Sequence, residues 1–359
     1  MLNHARELEK RGHKVVCWFL EDVLALPVKW ARFQDFRFAW GVARRILKDK
    51  QQFDVVNIHA PWGCVYGAWR KAFHQDGKPP YVMTMHGSEE RYVRAMRRED
   101  RKGRAWNFGW KNRLWHRLYH QTMYDLSIKT ADQGAVVNRE AWICAQLKYN
   151  KDPGCVWFVP NGTEERYFFR REYQDKPGVR LLFVGSWLDR KGVYYLAEAF
   201  QILAGKLPQV RLTVAGCLLP KEEIQKCFSA ATHERLTVIP FLERDKMPSL
   251  YAAHDVFVFP SLVEGMPLTL LEAMASGMPV VTTDTCGMAD VVENGVNGLL
   301  VTPADSERVA DAVERICLSL DLRKQLGQAA QAAMRRYTWD RVTEKLEMVL
   351  SLAAVKPQP

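Results

Sequence analysis

Short apolar runs alternate with helical patterns along most of the 359 residues. In the first half the runs 14–20, 54–59, 81–86 and 134–137 read as strands. In the second half 180–185, 210–215, 236–240, 256–259 and 279–282 read the same way, with helical stretches such as 193–203, 268–276 and 306–320 between them. Strands that alternate with helices predict parallel α/β sheets, here two doubly wound domains. The charged stretch 170–178, ending in Pro177-Gly178, has the composition of an interdomain linker. Tyr337-Thr338-Trp339-Asp340 opens a last helical pattern that runs to 352. The boundaries expected are therefore 1–170, 171–336 and 337–359. The chain opens inside a helix over 2–10, with Gly12 as its cap and 14–20 as the next strand. A doubly wound domain begins with strand, loop and helix. The expectation is that the reading frame extends upstream by some 15–25 residues, about one strand, a glycine-containing loop and the first helical turns.

Composition adds a globular character: 48% hydrophobic and 26% charged residues, with no apolar run of membrane-spanning length. The charged start does not read as a secretory signal. Eight scattered cysteines without C-x-x-C or zinc spacing read as buried thiols of a reducing cytoplasm. The net charge of +10 is uneven. Residues 1–160 hold 28 Lys+Arg against 16 Asp+Glu, and the remainder 23 against 25. Much of the excess lies in 91–120, where Arg91, Arg94, Arg97, Arg98, Arg101, Lys102, Arg104, Lys111, Arg113 and Arg117 are interleaved with Tyr92, Trp106, Phe108, Trp110, Trp115 and Tyr119. Such a mixture suits an anionic bilayer surface, and equally a solvated basic face with some aromatics in the core. No nucleic-acid motif accompanies it. The expected location is cytoplasmic, peripheral on the inner face of the plasma membrane.

The densest chemistry lies in the run from Pro260 to Gly277. A strand ends near Phe259, Gly265 permits a tight turn, and Pro267 suits the first turn of a helix. A helix N-terminus directly after a strand's carboxyl end is where α/β folds bind phosphate-bearing ligands. Glu264 stands before that helix and Glu272 within it. Spacing alone leaves a second reading open, with Glu264 a favourable charge at the helix start and Glu272 a solvated residue. In the other segment, Phe183-Val184-Gly185-Ser186-Trp187-Leu188-Asp189-Arg190-Lys191-Gly192, two adjacent cations follow a strand. They form either a phosphate clamp or an exposed basic turn.

The run Glu264-Gly265-Met266-Pro267-Leu268-Thr269-Leu270-Leu271-Glu272 resembles the E-x7-E signature of family four retaining glycosyltransferases, which have the GT-B fold. Gly277-Met278-Pro279-Val280-Val281, Cys286-Gly287, Asp290-Val291-Val292 and Asn294 to Val301 continue the likeness. Thr84-Met85-His86-Gly87, Asp54 to His59 and Val159-Pro160-Asn161-Gly162 resemble shorter family segments of the first half. Where the family has an arginine directly after the glycine of the second segment, this chain has Ser186, so Arg190 is expected to supply that charge.

The resemblance implies two facing domains with a donor cleft, a last helix that returns to the first domain, and transfer of a hexose-type sugar from a nucleotide diphosphate to a glycan or lipid-linked acceptor. Envelope or exopolysaccharide synthesis is the implied setting. Glu264, Arg190, Lys191 and His86 are the implied catalytic residues. Gly185, Ser186, Gly265, Met266, Leu268, Thr269, Leu270 and Glu272 are the implied donor contacts. There is no D-x-D, so no metal is expected, and no G-x-G-x-x-G follows a strand, so no nicotinamide cofactor. A sugar-nucleotide epimerase of the same fold and an inactive nucleotide-sugar-binding remnant are the two rival readings.

Overall fold

The computed structural model describes residues 2–24, 33–49, 53–73, 77–104, 109–175 and 178–355. Two compact units divide the chain. The first comprises Met1–Glu90, Asn107–Pro160 and Trp339–Pro359, and the second Arg91–Trp106 and Asn161–Thr338.

The first unit holds four parallel strands in the order β1 (Val56–His59), β2 (Tyr81–Met85), β3 (Gln133–Val136), β4 (Val156–Phe158). The Gln34–Lys48 helix packs Phe38, Val42, Ala43 and Ile46 into the core beside the sheet and Ala39 against Cys64 and Met123, a helical repeat that leaves its other face to solvent. The Trp339–Ala354 helix belongs to this unit. Its Leu346 and Val349 pack on Val82 and Ala135. It also pairs with the Leu2–Lys10 helix region, where Arg11 meets Asp340 and Glu347, and His4 meets Thr343 Oγ1 at 2.8 Å.

The expected strand at 14–20 is absent. Residues 13–19 join no ladder, and Leu20 starts the short Leu20–Val23 helix. Trp18 instead packs edge-on against Phe53 and under the Arg45 guanidinium, so this run covers the core with side chains rather than backbone. β4 went unread because its three residues, Val156–Phe158, carry too little periodicity.

The second unit is a six-stranded parallel sheet in the order β10-β9-β8-β5-β6-β7. The strands are β5 (Arg180–Val184), β6 (Arg211–Ala215), β7 (Leu236–Ile239), β8 (Val256–Phe259), β9 (Val280–Thr283) and β10 (Leu299–Val301). β8 and β9 are buried along their whole length, as expected of a sheet covered on both faces.

The boundaries differ from those drawn on the sequence, and the reason is specific. The stretch 170–178 is no solvated linker. Arg171 donates Nε to Ser276 O at 2.8 Å, Nη1 to His254 O at 2.7 Å and Nη2 to Tyr251 O at 2.6 Å. These carbonyls lie at or just beyond the ends of the Met247–Ala252 and Leu268–Ala275 helices, where backbone acceptors lack intrahelical partners. Burial lowers the Arg171 pKa to about 10. The Tyr173 hydroxyl donates to Gly277 O at 2.7 Å. Lys176 and Pro177 lie outside the described residues.

The basic stretch 91–120 is likewise not one surface. Its part up to Trp106 groups with the second unit, where the Tyr195 hydroxyl donates to buried Glu99 at 2.8 Å, Lys102 bonds Tyr195 and Arg104 bonds Glu198. Trp106 and Phe108 lie outside the described residues.

Candidate functional site

The second sheet runs outward from β5 to β7 and then returns to β8 on the other side of β5. The adjacent strands β5 and β8 therefore mark the switch point of this sheet, at whose carboxyl ends α/β folds offer a ligand crevice. Gly185 ends β5 at φ +151°, and a Cβ there would stand 3.0 Å from Lys191 Nζ. Past Ser186, the Asp189–Lys191 turn ends at Gly192, φ +69°. A Cβ on Gly192 would come within 1.9 Å of Pro260 O, so only glycine lets the two loops meet. Leu262 N donates to Arg190 O at 2.8 Å, and Ser261 Oγ reaches the same carbonyl at 3.0 Å.

This stitching brings both cations to one carboxylate. Arg190 Nη1 bonds Glu264 Oε1, and Lys191 Nζ lies 3.2 Å from the same oxygen. Lys191 and Glu264 are mostly shielded from water, which strengthens their attraction. Burial lowers the Lys191 pKa, and Glu264 acts against that shift.

The rest of the loop is set by packing. Gly287 touches the backbone of Gly265 and Met266, where a Cβ would stand 1.8 Å from Gly265 O. Asn161 Nδ2 donates to Met266 O at 2.7 Å. The Leu268–Ala275 helix starts after extended Pro267, and Leu270 and Leu271 already donate back to Pro267 O. The amides of Leu268 and Thr269 belong to the first turn, which has no intrahelical acceptor for them, and such a helix start suits an anion. Thr285, which precedes the Cys286–Val291 helix, accepts from Arg91 Nη2 at 3.0 Å. Cys286 is held at φ +48°, a left-handed conformation costly for a residue with a Cβ.

Glu272 sits in a different setting. Tyr251 donates to its Oε2 at 2.9 Å and also lies 3.2 Å from Thr269 O. Tyr167 packs edge-on against Tyr251 at 5.8 Å and brings its buried hydroxyl close to the same carboxylate. That hydroxyl and the Thr269 Oγ1 have no hydrogen-bond partner among the described residues. Burial raises the Glu272 pKa to about 7, against the stabilising effect of the two tyrosines and Arg244, while Glu164 adds to the rise.

His86 lies in the first unit, just past the end of β2. Its Nε2 meets His59 Nδ1, and the two rings stack at 4.7 Å. Desolvation, with neighbouring positive charge, lowers the His86 pKa to about 4 and that of His59 well below its usual value, although the His86 ring keeps an exposed edge.

Residues 165–333 match the family model for group 1 glycosyl transferases, and residues 1–164 match the model for glycosyltransferase family 4. The chain belongs to the family four glycosyltransferases. It is 25% identical over 333 residues to the sulfoquinovosyl transferase SQD2 of Arabidopsis thaliana, across 90% of this chain and 62% of that one. It is 31% identical over 216 residues to the D-inositol 3-phosphate glycosyltransferase of Actinosynnema mirum, across 55% and 52%. The chain thus spans about half to three-fifths of the length of the curated relatives it matches. Among solved structures, a sucrose-phosphate synthase from Thermosynechococcus elongatus superposes with TM-score 0.71 at 19% identity, over 91% of this chain and 80% of that one. The Anabaena protein HepE in complex with UDP and glucose gives 0.64 at 18%, over 90% and 84%. The α/β fold is of the GT-B type.

For this family four glycosyltransferase, the fold gathers Gly185, Arg190, Lys191, Glu264, Gly265 and Met266 at one crevice, with Ser186 in the adjoining loop. Glu272 stands apart in its tyrosine cage, and His86 belongs to the other unit. Sequence reading missed Tyr251, Tyr167 and Gly192. The two tyrosines carried no motif. Gly192 stood inside the quoted segment, but its necessity depends on Pro260, a contact between distant loops.

Proposed function

We propose that the protein transfers a hexose-type sugar, with retention of anomeric configuration, from a nucleotide-diphosphate donor to a glycan or lipid-linked acceptor in envelope or exopolysaccharide synthesis. The observation that carries this is the meeting of Arg190 and Lys191 on Glu264 at the β5/β8 switch point. The departing nucleotide diphosphate is a stable anion, so the task of the site is to stabilise its growing charge. Arg190, Lys191 and the amides of Leu268 and Thr269 supply donors for that charge without a metal. Their geometry is set before the donor arrives, because Glu264 holds both cations in place.

Glu272 accepts hydrogen bonds from the donor ribose, with Gly185, Ser186, Gly265, Met266 and Leu270 shaping the pocket. Glu264 contacts the transferred sugar once the diphosphate has taken its cations. His86 also contacts that sugar. The incoming acceptor attacks on the face the diphosphate leaves, and its proton passes to a phosphate oxygen of the leaving group. HepE with UDP and glucose, and Staphylococcus aureus TarM with UDP, support a nucleotide-sugar reading. The protein works on the cytoplasmic side, peripherally on the inner face of the plasma membrane, as the basic first half suggests.

A thermal-shift screen against UDP-, GDP- and ADP-sugars, followed by transfer assays with the sugar that binds, tests this. Stabilisation by one nucleotide sugar, suppressed in Lys191→Ala, is the expected result. No shift with any of them from a cooperatively melting protein sinks the proposal.

A further inference from the structure

Two packed helical segments of the first unit present apolar side chains to solvent. Trp110, Leu114 and Leu118 recur at four-residue spacing along the Trp110–Trp115 helix and the His116–His120 π-helical turn, and each is at least half exposed. Trp115 and Tyr119, on the inner side, stack on each other and meet Phe33, and the Tyr119 hydroxyl accepts from Phe36 N at 2.8 Å. The Gln34–Lys48 helix beside them exposes Phe36 and Trp40, the latter at 58%. A half-exposed indole on each segment is more apolar surface than scattered single residues account for.

The exposed charges on these two segments are mostly basic. Arg37, Arg44, Lys48, Lys111 and Arg117 are all exposed, and Lys111 Nζ stands 5.7 Å from the Trp110 ring centre. No acidic residue occurs from Gly109 to Tyr124. Asp35 at the start of the neighbouring helix is engaged by Trp62 Nε1 at 3.0 Å. Beside Trp40 lies a trough of about 830 Å³, lined by Val23, Leu24 and Gly41, by Arg37, Arg44, Arg45 and Lys48, and by the carboxylates of Asp22 and Asp49.

We propose that this face, formed by Trp110, Leu114, Leu118, Phe36 and Trp40 with the exposed cations Arg37, Arg44, Lys48, Lys111 and Arg117, docks on an anionic phospholipid bilayer. Indole rings settle at the headgroup level, long cationic chains reach the phosphates, and the aliphatic side chains enter the acyl boundary. The stripe Arg94, Arg97, Arg98 and Arg101 also lies on one exposed helix face, but no large apolar residue of 89–104 is exposed beside it, and its segment belongs to the second unit. Such a stripe contributes attraction without insertion.

The inference rests on the peripheral-membrane part of the proposed function and not on its donor chemistry. The test is co-sedimentation of the full chain with phosphatidylcholine vesicles, neutral or carrying about 30 mol% phosphatidylglycerol. The parent is expected to partition at least about tenfold better onto the anionic vesicles. Combined Trp40→Ser, Trp110→Ser, Leu114→Ser and Leu118→Ser should lower that partitioning on the order of a hundredfold. Melting temperature and nucleotide-sugar shift should stay at parental values. In the parent, brominated lipid should quench tryptophan emission, a readout that needs no variant. Quenching that is absent from bound protein overturns the surface. So does binding that survives the apolar substitutions, or binding lost on charge reversal of Arg94, Arg97, Arg98 and Arg101 alone; either leaves the peripheral reading intact. A parent that ignores anionic vesicles overturns both.

Discussion

Glu264 and Glu272 lie on one short motif, yet the fold gives them opposite surroundings. Glu264 stands between a guanidinium and an ammonium at the crevice of β5 and β8. Glu272 stands between two tyrosine hydroxyls in a shielded cage that raises its pKa to about 7. The same side chain is thus an anchor for cations in one place and an ionisable acceptor in the other. Residue type does not decide this. The neighbours do, and they come from elements far apart in the chain.

The sharpest way to break the contrast is to remove the cations. Lys191→Ala, and separately Arg190→Ala, should each lower turnover by about 30- to 1,000-fold, equivalent to about 2–4 kcal/mol of lost charge stabilisation. Circular dichroism and melting should stay near the parent's. Near-normal turnover in both variants would remove the clamp from the mechanism.

At Glu272 the expected loss is in binding rather than turnover. Glu272→Gln should raise the donor KM by about tenfold, the scale of one hydrogen bond to a charged acceptor, with little change in kcat. It also carries a stability signature. With a folded pKa of about 7 against an ordinary 4.5, the folded state holds its proton over a range where the unfolded chain has lost it. Parent stability therefore falls as pH rises from 4.5 to 7 and stays level above that, as far as this group is concerned. Glu272→Gln lacks that loss. It should melt higher than the parent at pH 8 and alike at pH 4. Equal gains at both pH values would contradict the cage.

A finer cut is Tyr251→Phe. It deletes the 2.9 Å bond to Glu272 and should cost about 1 kcal/mol in chemical denaturation. With that donor gone, the carboxylate titrates at still higher pH, so the pH midpoint of donor affinity should move upward. An unmoved midpoint would mean Tyr251 is only packing.

The smallest expected effect lies in the loop against which Gly265 rests. Cys286→Gly should stabilise the protein by up to about 1 kcal/mol, because glycine adopts φ +48° without a Cβ clash, at some cost in unfolded-state entropy. Destabilisation would show that the buried thiol packs for more than the strain it brings.

Much of the second unit was legible in the chain itself. Continuous apolar strands such as 256–259 bounded by helical repeats specify a parallel sheet, because burial on both faces leaves only that pattern. The glycines and the proline around Glu264 marked a turn into a helix start, since few other residues tolerate that backbone. What periodicity could not show was pairing. Residues 14–20 have strand composition and no strand beside them, and a ladder exists only when a neighbour supplies its hydrogen bonds. A stretch with linker composition proved to carry Arg171, whose guanidinium caps backbone carbonyls about 80 to 105 residues away in sequence. The meeting of Arg190 and Lys191 on Glu264, the tyrosines around Glu272, and the division of 91–120 between two units all depend on long-range contacts. Local sequence sets which backbone conformations are cheap. Which charges lose water, and which partner then faces them, is settled only when distant segments close the space around them.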